Sequence, residues 1–103
     1  MDDDYLDGVL EVVAAIPPGR VMTYGGIADV VGAELGRGGP RQVGLIMARA
    51  GGGVPWWRVV NAVGSPPQRH SSEALRSLAA EGCPLTADGT RVSLARAEWS
   101  PGR

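Results

Sequence analysis

The feature that most restricts this chain is its punctuation by glycine and proline. Sixteen glycines and eight prolines fall within 103 residues, and they gather in clusters such as "PPG" at 17–19, "GRGGP" at 36–40 and "GGGVP" at 51–55. A proline excludes the helical region for the residue before it, and glycine loses the most conformational freedom when it is ordered. The intervals between the clusters therefore leave room for short helices and short extended pieces only.

Those intervals have distinct patterns. Over residues 4–16, Leu6, Val9, Leu10, Val13 and Ile16 recur at helical spacing, with aspartates at the N-terminal end where the helix dipole favours them. "PPG" ends that helix. Residues 20–22 predict a short extended piece. Thr23 predicts an N-cap, which puts Tyr24 at the first position of a second helix ending near Gly32. Gly39 as cap and Pro40 at the first helical position predict a third helix up to the triple glycine. Its apolar face is Val43, Ile46, Met47 and Ala50; the other carries Arg41, Gly44, Leu45 and Ala48. After a strand and loop, "SSEALRSLAAEG" predicts a fourth helix, capped by Ser71 or Ser72, with Leu75, Leu78 and Ala79 inward. Asp88-Gly89 predicts a hairpin turn. The glycine-rich link between the second and third helices suggests a helix-turn-helix, with a connection longer than the tightest version of that motif.

Composition narrows the function classes. No apolar run reaches the length of a membrane span. The start, "MDDDYLDGVL", is acidic where a signal peptide is basic, so a cytoplasmic protein without a membrane partner is the simplest expectation. The single cysteine, Cys83, excludes an internal disulfide and a site built on several thiolates. The formal net charge is -1, but seven arginines stand against three acids between Arg20 and Arg76. All ten basic residues are arginine, as high-GC codon usage would produce; the cluster is also compatible with a phosphate-binding face.

A helix that reads the major groove usually offers several long polar side chains to base edges. The third helix instead offers Arg41 at its start, then Gly44 and Ala48. So smooth a face lets a backbone come close to a narrow groove, with one arginine to insert. That suits minor-groove binding and displacement of a base. Alternatively, Gly44 and Ala48 only pack against the second helix. The pair Trp56-Trp57 poses a similar choice. In an extended segment neighbours face opposite ways, so one ring fills the core while the other lines something else; composition alone allows both to be core.

The segments "IPPGRVMTYGGIADVVG", "GPRQVGLIMAR" and "VPWWRVVN", in this order and spacing, resemble the DNA-binding domain of the O6-alkylguanine-DNA alkyltransferases. The tail "RVSLARAEW" extends the likeness over about residues 5–99. The enzymes carry Pro-Cys-His-Arg-Val where this chain has "PWWRV". Trp56 thus stands at the acceptor cysteine and Trp57 at its histidine, the mark of the alkyltransferase-like proteins, which keep the DNA-binding domain and lack the transfer chemistry. Transfer needs a thiolate to attack the alkyl carbon, and an indole has no comparable lone pair. An acceptor role for Cys83, 27 residues downstream of Trp56, lacks that context. No catalytic residue, metal or cofactor is expected.

The resemblance implies a mainly α (α+β) winged-helix or helix-turn-helix DNA-binding domain over residues 1–103, with short strands and a C-terminal hairpin. Residues 1–4 are compatible with disorder, and a monomer is expected. The implied partner is duplex DNA containing O6-alkylguanine, flipped into a pocket and left for nucleotide excision repair proteins. Tyr24 matches a tyrosine that contacts the backbone of the rotated nucleotide, and Arg41 matches an arginine finger that fills the vacated space. Gly44 and Ala48 face the groove; Arg37 and Arg49 suit phosphates. Trp56, Pro55, Val59 and Tyr24 would line the pocket, closed by "VVNAVGSPPQR". Arg69, in that loop, is either a lesion contact or a solvated charge or phosphate contact. Trp57 supports, Arg58 anchors the loop, and His70 has no assigned role. The enzymes' asparagine hinge is missing from "RAGGGVP", which implies a wider pocket mouth. A sequence-specific winged-helix transcription regulator on the same scaffold is the alternative.

Overall fold

The computed structural model describes residues 3–102. Its first helix, α1 (Asp3–Ala15), buries Tyr5, Val9 and Val13, one residue every four, and Ile16 just beyond continues the stripe. Leu6 and Leu10 are only half-buried, so the stripe is centred slightly differently from the expected one, and Tyr5 is its largest member. Asp3 and Asp4 form the helix's first turn, which confines the question of disorder over residues 1–4 to Met1 and Asp2, outside the described residues.

The chain then enters β1 (Met22–Thr23), which pairs in parallel with β2 (Val59–Val60) in the register Met22↔Val59 and Thr23↔Val60. Thr23 caps α2 (Tyr24–Leu35): its backbone is extended and its Oγ1 accepts from the Gly26 N–H at 2.9 Å. The helix does not end at Gly32. Its C-cap is Gly36, left-handed at φ 71°, whose N–H donates to the Gly32 carbonyl at 2.7 Å. The αL position selects the second of the two glycines.

A loop leads from there to α3 (Pro40–Ala50), which starts as expected with Gly39 extended and Pro40 first. This loop rests on α1. Gly38 has φ +91°, and a Cβ there would lie 2.2 Å from Cε1 of Tyr5. The start of α3, and with it Arg41, is thereby registered on the first helix. Val43 and Ile46 are the buried residues of α3. Gly51–Gly53 forms a 3₁₀ turn after it, closed by the Val54 N–H donating to the Gly51 carbonyl at 3.2 Å.

A 3₁₀ turn at Gln68–His70 runs straight into α4 (Ser71–Ala80). Ser71 is therefore the first helical residue and neither serine caps; His70 holds the cap position without a side-chain hydrogen bond. Ala74 and Leu78 are buried, while Leu75 is half-buried and Ala79 exposed. The expected C-terminal hairpin is minimal. It is one antiparallel bridge, Leu85↔Val92, around a turn where Gly89 has φ 72°. A four-residue helix not anticipated, α5 (Leu94–Ala97), follows.

Two apolar clusters hold these elements. The larger joins α1, α2, α3 and the β-ribbon through Tyr5, Val13, Met22, Ile27, Val43, Ile46 and Val59. The smaller contains Val21, Val60, Leu78, Cys83, Val92 and Ala97, with Trp57 packed against it. No helix among the described residues is long and apolar enough to cross a membrane. The architecture is a mainly helical helix-turn-helix domain with a small sheet.

Candidate nucleic-acid interface and cavity

Beside α3 lies a cavity of about 540 Å³, inside the range of roughly 300–1,000 Å³ in which ligand pockets usually fall. Four stretches of chain build it. The start of α2 contributes Tyr24. Gly44, Met47 and Ala48 come from α3, with Gly51 and Gly52 just after it. The centre of the chain adds Trp56 and Val59. The loop before α4 and the helix's first turn add Pro67, Gln68, Arg69, His70 and Glu73.

The two tryptophans do part company, though not by strand alternation. Trp56–Arg58 is a 3₁₀ turn between Pro55 and β2. The two rings lie 5.9 Å apart at 86°, edge to face. Trp56 lines the cavity and meets the His70 ring at 5.7 Å and 65°. Trp57 turns to the opposite side and donates its Nε1–H to Oε2 of Glu81 at 3.0 Å.

Glu81 is the hub of that opposite side. It accepts from the Gly19 N–H at 3.1 Å and from Nε of Arg58 at 3.1 Å, and it forms an ion pair with the Arg58 Nη2. Arg58 also donates to the Ile16 carbonyl at 2.8 Å and lies 5.4 Å over the Trp57 ring. Burial pushes the Glu81 carboxyl up, but the hydrogen bonds from Arg58, Gly19 and Trp57 together outweigh it and hold the group below its ordinary range. Arg58 is thus an internal anchor tying the tryptophan turn to the ends of α1 and α4.

The other singled-out residues fall into two sets. Tyr24, Gly44, Ala48, Trp56, Val59 and Arg69 line the cavity; Pro55 does not, because it precedes the 3₁₀ turn as its N-cap residue. Burial raises the Tyr24 phenol, so it stays a neutral donor. Arg37, Arg41 and Arg49 are exposed outside the cavity. Arg37 donates to the Leu35 carbonyl at 3.2 Å. The choice over Gly44 is resolved by its surroundings: a Cβ there would find nothing within 4 Å, so α2 is not packed upon it. It lies where the outer face of α3 runs into the cavity, with Ala48 exposed one turn on.

Pro67 and Gln68 come from the loop expected to close the pocket, whereas Met47, Gly51, Gly52, His70 and Glu73 belong to the cavity without having been singled out for it. Met47 was legible in principle, three residues after Gly44 on one helix. His70 and Glu73 were not, since only the tertiary fold brings α4 against Trp56. Cys83 lies apart, 6% exposed in the smaller cluster, and burial followed by the Glu81 charge pushes its thiol up.

Residues 4–83 match the family model described as the 6-O-methylguanine DNA methyltransferase DNA-binding domain. The fold superposes on Schizosaccharomyces pombe Atl1, solved with damaged DNA containing O6-carboxymethylguanine, with a TM-score of 0.78, 32% identity and coverage of 98% of this chain and 99% of that one. The DNA base-flipping protein of Escherichia coli K12 is 35% identical over 106 residues, covering 96% of this chain and 77% of the relative. This chain belongs to the alkyltransferase-like family. A base-flipping protein of Vibrio parahaemolyticus, 33% identical, matches 96% of this chain over 99% of its own length. A second S. pombe ATL structure, in complex with DNA, superposes with a TM-score of 0.75 at 34% identity and covers 98% of both chains.

Proposed function

We propose that this protein recognises O6-alkylguanine in duplex DNA through the minor groove, turns the damaged nucleotide into the cavity, and leaves the alkyl group in place. The observation that carries this reading is the continuity of two surfaces: Gly44 and Ala48 belong both to the outer face of α3 and to the wall of the cavity. A helix laid in the groove by that smooth face puts the cavity mouth beside the displaced base. Arg41, at the exposed start of α3, enters the stack and fills the vacated space, while Tyr24 braces the rotated backbone. Trp56 offers an aromatic surface to the base. Rotation costs a few kcal/mol of unstacking, least for a damaged or mispaired base, and so favours the lesion.

The chemistry of the cavity suits binding rather than transfer. Dealkylation requires a thiolate in line with the alkyl carbon. The one cysteine lies outside the cavity lining, and position 56 presents an indole. The E. coli relative's name specifies base flipping, and the S. pombe protein was solved on O6-carboxymethylguanine DNA. Both support the reading. A binder that leaves its lesion intact serves only if another system acts on the complex. By family resemblance that system is nucleotide excision repair, acting on the monomeric protein bound at the lesion.

The test is binding to matched duplexes with guanine or O6-methylguanine at one fixed salt concentration, followed by assay of the recovered DNA for the methyl group. Preferential binding with full retention of the methyl is expected. Equal affinity for the two duplexes overturns the reading, and a preference among undamaged sequences replaces it with a transcription regulator. Loss of the methyl with a mass gain on Cys83 overturns the non-catalytic part.

A further inference from the structure

The cavity has two unlike halves. Its floor is apolar, made by Met47, Trp56 and Val59. Its outer rim is polar and comes from one short segment, with Arg69, His70 and Glu73 at the entry to α4. Among the described residues the His70 imidazole makes no hydrogen bond; only its backbone N–H does, to the Pro67 carbonyl at 3.1 Å. Its ring is nonetheless placed, edge-on to Trp56 at 5.7 Å. His70 is exposed at the cavity rim, and its ring, resting edge-on against the aromatic wall with both nitrogens free of protein partners among the described residues, has an N–H available to a ligand that enters.

We propose that His70 is a specificity-determining residue of this cavity, selecting O6-alkylguanines whose alkyl arm ends in an oxygen acceptor, a carboxylate above all. The inference rests on the binding reading above. With the base against Trp56, a methyl group meets only apolar wall. A longer arm passes over the edge of Trp56 and reaches the rim. There a neutral or protonated imidazole donates an N–H to its terminal oxygen. The Arg69 guanidinium adds favourable charge, and the Glu73 carboxylate, facing the same space, opposes it. An arm ending in a methyl or larger alkyl group gains neither interaction and leaves the imidazole to water.

The experiment measures affinity for three duplexes, carrying guanine, O6-methylguanine or O6-carboxymethylguanine, at one fixed salt concentration. His70→Leu and His70→Gln are compared with the unaltered protein after each variant is checked for a native melting transition. The unaltered protein is expected to favour carboxymethyl over methyl by about tenfold, the scale of one charge-assisted hydrogen bond. His70→Leu should shrink that ratio several-fold, and His70→Gln, which keeps an N–H donor, should restore most of it. A ratio unchanged in His70→Leu overturns the assignment. So does a parallel fall for both lesions, which would make His70 only a prop for Trp56. Equal affinity of the unaltered protein for the two lesions, with both bound above guanine, overturns this inference alone. Equal affinity for all three duplexes overturns the binding reading beneath it.

Discussion

Trp56 and Trp57 are neighbours in sequence and opposites in environment. Around Trp57 the polar groups are committed to one another: Glu81 accepts from Gly19, Trp57 and Arg58, and Arg58 also reaches the end of α1. Around Trp56 they are not. Arg69, His70 and Glu73 edge an open cavity, and among the described residues their side chains have no hydrogen-bond partners. The difference teaches where stability and binding reside in so small a protein. A satisfied network fixes the geometry on one side, so that the other side can keep its hydrogen-bonding capacity for a ligand. Substitutions on the Trp57 side should therefore move the melting temperature, and substitutions on the Trp56 side should move affinity.

The largest effect is expected at the hub. Glu81→Ala strands the Arg58 guanidinium and two further donors in a partly buried site. Breaking such a pair costs about 3 kcal/mol, which corresponds to a melting temperature lower by roughly 15 °C in a domain of this size. Circular-dichroism melting checks this. A drop of only a degree or two would mean that water replaces the carboxylate and that the two sides are less unlike than the geometry indicates.

Next comes Arg41→Ala on the binding side. Its side chain makes no hydrogen bond or ion pair among the described residues, so melting should be unchanged. Lesion affinity should fall by at least about tenfold, because the finger's stacking and hydrogen bonds to the orphaned base are lost together. Arg37→Ala, one phosphate contact at most, should cost far less. Equal losses in the two variants would reduce Arg41 to a phosphate contact.

The tryptophans themselves give a smaller, reciprocal pair. Trp56→Phe keeps an aromatic wall of reduced area and should weaken lesion binding a few-fold, with little change in melting. Trp57→Phe removes the Nε1 donor to Glu81 and should cost about 1 kcal/mol of stability with little change in affinity. Titrating each variant with O6-methylguanine duplex, beside its melting curve, completes the crossover. If both variants lose both properties, the division between the two sides fails.

How much of this was legible beforehand depends on the range of the signal. The Thr23 cap and the Gly39-Pro40 start of α3 were readable because a cap is decided by a few adjacent residues. Gly32 against Gly36 was not, because either glycine can follow a helix; the choice lay in which residue adopted the αL conformation. The serines before α4 are cap formers by type, but a preceding 3₁₀ turn made Ser71 helical. The separation of the tryptophans was foreseen on the wrong backbone, since any local geometry that diverges the two rings separates them. Pro55 was expected in the cavity from the resemblance of the "PWWRV" motif and does not line it, whereas His70 and Glu73, fourteen and seventeen residues beyond Trp56, enter it through the packing of α4. Long-range packing of that kind leaves no periodic or motif trace.

The smallest expected effect concerns acid. Glu81 is held below the ordinary carboxylate range in the folded protein, so protons bind it more tightly in the unfolded chain. Its contribution is complete above the unfolded value of about 4.3 and is lost as pH falls through the lower folded value. Asp88, exposed in the hairpin turn and lowered to about 2 by hydrogen bonds from Thr86 and Thr90, titrates with the same sign. Glu81→Gln removes the first titration while keeping one acceptor oxygen. Its stability should therefore change less between pH 5 and pH 3 than that of the unaltered protein, measured by urea unfolding at each pH. Asp88→Asn should leave the Glu81 titration in place and alter the curve mainly at its acid end. If Glu81→Gln keeps the full acid slope between pH 5 and pH 3, the network around Trp57 is not held by the carboxylate's charge. Its hydrogen-bond geometry alone would then keep the tryptophan turn in place.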